Sequence, residues 1–208
     1  MYLDTVSFTP IKQPVTVKAL LGPLVNNQPF NVTRGLLAGK QWKMFHVQGE
    51  SVDEHIVRFE DQGLSHLKVN RDQSVVVLAE EDYVHWAKVV YDPPIMVIPA
   101  DLVHHQPQVM TSKMTVYSLR TKAQRDKGTC TVRVEVLGKQ RLHLSGRVYH
   151  AIVIKTTREL KLGLAQGTVT IYDYYAPSVG LVAYRIERKL ITMGFIPMNS
   201  VIEVQRAQ

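Results

Sequence analysis

The sequence predicts a mainly β domain with little helix, laid out as one antiparallel meander of consecutive hairpins. Three observations predict it. The 208-residue chain carries 29 valines, and valine fits the pleated, half-buried surface of a strand. From Lys40 onward apolar and polar residues alternate with a period of two over much of the chain, the pattern of strands that bury one face. No apolar run with helical period extends beyond about 10 residues, so no helix of ordinary length competes.

The elements follow in order. Pro10, Pro14, Pro23 and Pro29 punctuate residues 1–38, and prolines at that density exclude long elements. This segment reads as irregular, with one helical turn at Val17–Leu21, and residues 39–208 read as a single antiparallel β domain. Trp42, Met44 and His46 alternate with Lys43, Phe45 and Val47, and Ile56, Arg58 and Glu60 alternate with Val57 and Phe59. Gly63 opens the next strand over 64–70, and Arg71-Asp72-Gln73 turns into the strand at 74–79. These spacings are those of hairpins. Strands at 85–91 and 95–98 flank Asp92-Pro93-Pro94, where two residues without an N–H are expected to stop the ladder.

Residues 106–112 read as the link between two groups of strands. In the second group Cys130, Val132, Val134 and Val136 share one face, opposite Thr131, Arg133 and Glu135. Residues 151–154 are apolar on both faces and predict a central strand. Strands at 169–175 and 181–186 are joined by Ala176-Pro177-Ser178-Val179-Gly180, and the last strand covers about 201–204. Tyr174 and Tyr175 point to opposite faces, one into a core and one onto a surface or cavity.

The composition excludes several classes. Apolar residues make up 45% and charged residues 21% of the chain, which excludes a disordered tail. No stretch approaches the ~20 apolar residues of a transmembrane helix, so no membrane span is expected. Cys130 stands alone, which excludes an intramolecular disulfide and a cysteine-based zinc site, and its alternation with valines predicts a buried, inert thiol. The net charge is +7. The densest basic segment, Arg120, Lys122, Arg125 and Lys127, is interrupted by Asp126 and carries no aromatic residue. It reads as a solvated loop, and nucleic acid is not an expected partner.

Chemistry-bearing motifs are few. The chain lacks a His-Glu-x-x-His helix, a Gly-x-Ser-x-Gly elbow and the glycine-rich phosphate loops. Asp101, His104 and His105 form the densest group with ligating side chains and read as a polar loop, so neither metal nor cofactor is expected. Glu80-Glu81-Asp82 reads as a solvated turn. No catalytic residue is assigned and an enzyme is not expected; a hydrolase using residues such as Asp101 and His104 is a third, weaker alternative. The residues best suited to contact an apolar ligand are Trp42, Trp86, Tyr91, Tyr172 and Tyr174, all in expected strands, with His150 as a hydrogen-bonded core or cavity residue.

Four patterns in order carry a family resemblance: Leu36-Leu37-Ala38-Gly39-Lys40-Gln41-Trp42; Val90-Tyr91-Asp92-Pro93-Pro94-Ile95-Met96-Val97-Ile98-Pro99; Val136-Leu137-Gly138-Lys139-Gln140 followed by Leu144-Ser145-Gly146-Arg147-Val148-Tyr149; and Tyr174-Tyr175-Ala176-Pro177-Ser178-Val179-Gly180-Leu181-Val182. The series resembles the TapB-like group of bacterial exported and lipoprotein-type domains and is similar in plan to the LolA/LolB-like lipoprotein-localisation fold. The resemblance implies a single curved antiparallel sheet, an incomplete barrel, holding a lipid-like or apolar small molecule in its concave face. It further implies a non-enzymatic binding module of the periplasm or cell envelope, with an export segment upstream of Met1 and an envelope protein as a second expected partner. The alternatives are a protein–protein assembly module with a filled sheet face, and a cytoplasmic location.

Overall fold

A computed structural model describes residues 8–12, 15–103, 106–163, 165–192 and 196–207. A five-residue helix, α1 (Val17–Leu21), precedes twelve strands: β1 (Val25–Arg34), β2 (Gln41–Gln48), β3 (Glu54–Phe59), β4 (Gly63–Val69), β5 (Val75–Asp82), β6 (Ala87–Ile98), β7 (Gln108–Ser118), β8 (Gln124–Leu144), β9 (Arg147–Leu162), β10 (Ala165–Ala176), β11 (Gly180–Thr192) and β12 (Ile196–Arg206). Every strand pairs antiparallel with its chain neighbour, and β1 also pairs with β12, so the sheet is a closed barrel.

Closure corrects the expectation of an incomplete barrel. The deciding element is β1, which lies inside the segment read as irregular and pairs Val32 with Val204 and Phe30 with Arg206. Pro29 is tolerated in it because the ladder to β2 shifts just before, between Val25 and Gln28, with Asn27 at φ 69. A proline beside such an irregularity costs little pairing. Two other expectations change. Residues 108–112, read as a link, form the first half of β7. The Asp92-Pro93-Pro94 segment does not divide β6, which continues to Ile98 against β5. The prolines interrupt both neighbours: residues 91–94 have no partner in β5, whose pairing jumps from Val90 to Ile95, and pairing with β7 ends at Asp92–Lys113. Beyond it the wall is held by side chains, with Ser112 Oγ donating to Pro93 O at 2.7 Å and the Met96 N–H donating to Met110 Sδ at 3.1 Å.

Alternation along β8 and β9 sends Val132, Val134, Val136, Ile152 and Ile154 into the barrel, where they form one core with α1, Ile11 and Leu102. Phe30, Val32, Trp42, Met44, Tyr184 and Val204 fill the neighbouring sector. α1 is closed at its start by the Thr16 hydroxyl, which accepts from Ala19 N, and ends at Gly22 with φ 68. Gly22 lies so close to the β10–β11 turn that an added Cβ would sit 2.5 Å from Gly180 N, and Ser178 N donates to Ala19 O at 2.7 Å. The Tyr-Ala-Pro-Ser-Val-Gly corner is thus the seat on which α1 lies, with Leu20 and Val17 fully buried beneath it.

A second core sits on the outside of the wall. The β8–β9 ladder shifts between Val136 and Gly138, so the tip of this hairpin presents Leu142 and Leu144 on the face of Ala151 and Val153. These four pack with Tyr174, Ala176, Val182 and Ala183. The tip reaches three strands along the barrel, where Ser145 Oγ donates to Arg206 O at 3.2 Å. The hairpin therefore bends over the outer surface of β10–β12. Burying each leucine contributes about 2 kcal/mol.

Candidate functional site in the barrel lumen

The inward register of β9, β10 and β11 places Thr156 beside Ile171, Arg158 beside Val169, Asp173 between Ile154 and Tyr184, and Arg188 beside Val169. Across the lumen stand Glu80 of β5 and Tyr91 of β6. Arg158 grips Glu80 with both terminal nitrogens, at 2.7 and 3.1 Å, a bidentate geometry that fixes both side chains. The Tyr91 hydroxyl donates to Glu80 Oε2 at 2.8 Å, and Arg158 Nη1 donates to the Tyr91 oxygen at 3.4 Å. Burial alone would raise the Glu80 pKa, but the Arg158 charge and hydrogen bonds outweigh it and hold the carboxyl below its usual range.

Asp173 has the opposite fate. It accepts no such pair of hydrogen bonds, and burial pushes its pKa up to about 7 despite the pull of Arg158. Burial likewise pushes the Tyr175 hydroxyl well above its usual range, with the Asp173 charge adding to it. Asp173, Ile171, Tyr175 and Ile186 line this inward face as partly buried residues, Tyr175 and Ile186 packed against the cores. Thr156 Oγ1 and Arg158 Nε are buried on this face without a hydrogen-bond partner among the described residues. The inner wall of β9, β10 and β11 thus combines aliphatic side chains with one locked carboxylate across the lumen, one carboxyl poised near neutrality and two unpartnered polar atoms.

The residues expected to contact a ligand are scattered by this architecture. Tyr91 faces the lumen in the Glu80 network. Trp42 also faces inward but is packed edge-on against Phe59, with ring centroids 6.3 Å apart. Tyr174 is buried in the outer core and Tyr172 packs at its margin. Tyr175, its chain neighbour, faces the inner core. Trp86 lies in the β5–β6 turn, not in a strand, and is exposed. His150 is exposed as well, because the β8–β9 tip around it has no further strand to cover that face. Glu80, read as part of a solvated turn, is the largest change: β5 runs through it and aims it inward.

Cys130 is fully buried and burial pushes its thiol up to about 11, so it is unreactive at neutral pH. His104 and His105 lie outside the described residues. Asp101 accepts the Val103 N–H at 2.8 Å. Among the described residues no three His, Cys, Asp or Glu side chains converge on a metal position, and no helix is long and apolar enough to cross a membrane.

No family model matches the chain, and no curated protein matches it. Among solved structures, a chain described as a putative lipoprotein from Parabacteroides distasonis is similar over 93% of this chain and 99% of its own, with 10% identity and a TM-score of 0.42. At that distance it is a neighbour in overall outline and lends no residue a role.

Proposed function

We propose that the protein is a non-enzymatic binding module of the bacterial envelope that holds a lipid-like or apolar small molecule inside the barrel. The observation that carries this reading is the inward face of a closed barrel where Ile171, Tyr175 and Ile186 surround Asp173, with Thr156 Oγ1 and Arg158 Nε buried nearby and unpartnered among the described residues. An apolar lining with a few convergent polar groups is the usual make-up of a small-molecule site. The envelope location leans on the resemblance to TapB-like and LolA/LolB-like domains. Binding is favoured over catalysis because Glu80 is tied up by Arg158 and Tyr91 and the Cys130 thiol is buried. Closure of the sheet removes the free edge strand that an edge-pairing assembly module would use.

Native and denaturing mass spectrometry of the purified protein, with solvent extraction, tests the reading. A stoichiometric apolar mass lost on denaturation is expected, and Ile171→Trp, which enlarges an inward-facing side chain, should abolish it while the fold persists by circular dichroism. A clean mass that persists after incubation with extracted bacterial lipids would overturn the lipid reading.

A further inference from the structure

The end of the barrel opposite α1 carries a surface that the lumen does not explain. The β5–β6 turn and the β7–β8 turn are bound to each other there. Leu119 N donates to Trp86 O at 2.9 Å, Arg125 Nη1 donates to His85 O at 3.0 Å, and the Arg120 guanidinium lies 4.5 Å above the Trp86 ring. Trp86 is 45% exposed and Val84 58% exposed, and Trp86 sits at φ 52, a conformation that costs a bulky residue energy. A strained, exposed indole at a turn tip adds nothing to the core.

The charge around it is predominantly basic. Arg120, Lys122, Arg125 and Lys127 are all exposed. The nearby acids are occupied within the protein: Asp82 accepts from the backbone and ring of His85, and Asp126 accepts from Lys127 N and Gly163 N. Arg125 spends its hydrogen bonds on neutral acceptors, His85 O and Ser118 Oγ. The result is an indole and a valine at the tip, with four exposed cations that outnumber the carboxylates of Asp82 and Asp126.

We propose that this end docks onto an anionic phospholipid surface, with Trp86 and Val84 entering the interface and Arg120, Lys122, Arg125 and Lys127 meeting the headgroups. An indole is amphipathic and settles at the boundary between water and hydrocarbon. Basic side chains near an anionic bilayer are drawn to its surface potential. Membrane is favoured over nucleic acid because the one exposed indole is already covered by Arg120 and provides no row of stacking faces. The docking holds whether or not the lumen carries a ligand.

The test is co-sedimentation of the whole chain with vesicles of phosphatidylcholine alone and with one-third phosphatidylglycerol. Binding is expected to the anionic vesicles only, and to weaken by about tenfold in high salt. Trp86→Ser and the double variant Lys122→Glu, Lys127→Glu should each lower it by about tenfold. In a Trp42→Phe background Trp86 is the only tryptophan, and its emission should shift to the blue and be quenched by acyl-chain quenchers. Equal binding to both vesicle types, no binding by the unmodified chain, or binding that survives both variants overturns the proposal. So does binding to a single-stranded oligonucleotide without binding to vesicles.

Discussion

At the end where β10 turns into β11, α1 seals the barrel: Leu20 and Val17 are fully buried, Gly22 abuts Gly180, and Ser178 is bonded to Ala19. At the end where β5 turns into β6 and β7 into β8, the turns carry exposed Val84 and Trp86 and a row of exposed cations. Between them the lumen shifts from aliphatic to polar. The difference teaches where stability and where interaction are located in this molecule. Residues that serve the fold are apolar and interlocked at one end, and those proposed to serve a partner are strained or exposed and basic at the other.

The comparison can be broken most forcefully in the middle. Glu80→Ala leaves Arg158 buried without its partner, and removing one member of such a pair costs about 3–5 kcal/mol; a urea midpoint measurement reads it directly. At the sealed end, Leu20→Ala should cost about 2–5 kcal/mol through the cavity it leaves, read in the same way. If that variant is as stable as the parent, α1 is an ornament and not a plug.

Asp173 sharpens the lumen. Its pKa stands near 7 in the folded chain against an ordinary 3.8. Between those values the folded state keeps a proton that the unfolded state has released, so Asp173 makes stability fall as pH rises from about 4 to 7 and then level off. Asp173→Asn should remove that slope and gain stability relative to the parent at pH 8 but not at pH 4, measured by urea unfolding at both. Glu80 works in the opposite sense: its lowered pKa supports the fold above the ordinary carboxylate range, and that support is lost as pH falls. The smallest effect belongs to the free end. Trp86→Ser should change stability by less than about 0.5 kcal/mol, since a larger loss would make the indole a structural residue.

Strand identity was legible where alternation is strict. Cys130 to Val136 buries one face as the pattern requires, and Val17–Leu21 is the helix that the sequence allowed. Closure was not legible, because it depends on β1, whose single proline, Pro29, argues locally against a strand and is outweighed by pairing on both sides. The lumen was half legible. Arg158 stands in the same alternation as Ile152 and Ile154, and Asp173 lies between tyrosines. A charge on the buried parity of a strand is a signal, since such charges survive only when paired or poised. Glu80 carried no such signal, because the β5–β6 ladder shifts between Val77 and Ala79 and the alternation breaks just before it. Trp86 and Arg120 lie in different hairpins, and their stacking exists only after the hairpins stand side by side.

The seam between β1 and β12 joins residues far apart in sequence, such as Val32 and Val204. This pairing becomes available only once β12 has been reached, while each hairpin from β2 to β11 can form from its own neighbouring residues. Until then the growing sheet has two open edges, the arrangement most prone to pairing with another chain. The proline-interrupted first strand, a poor template when alone, guards one of those edges during that interval.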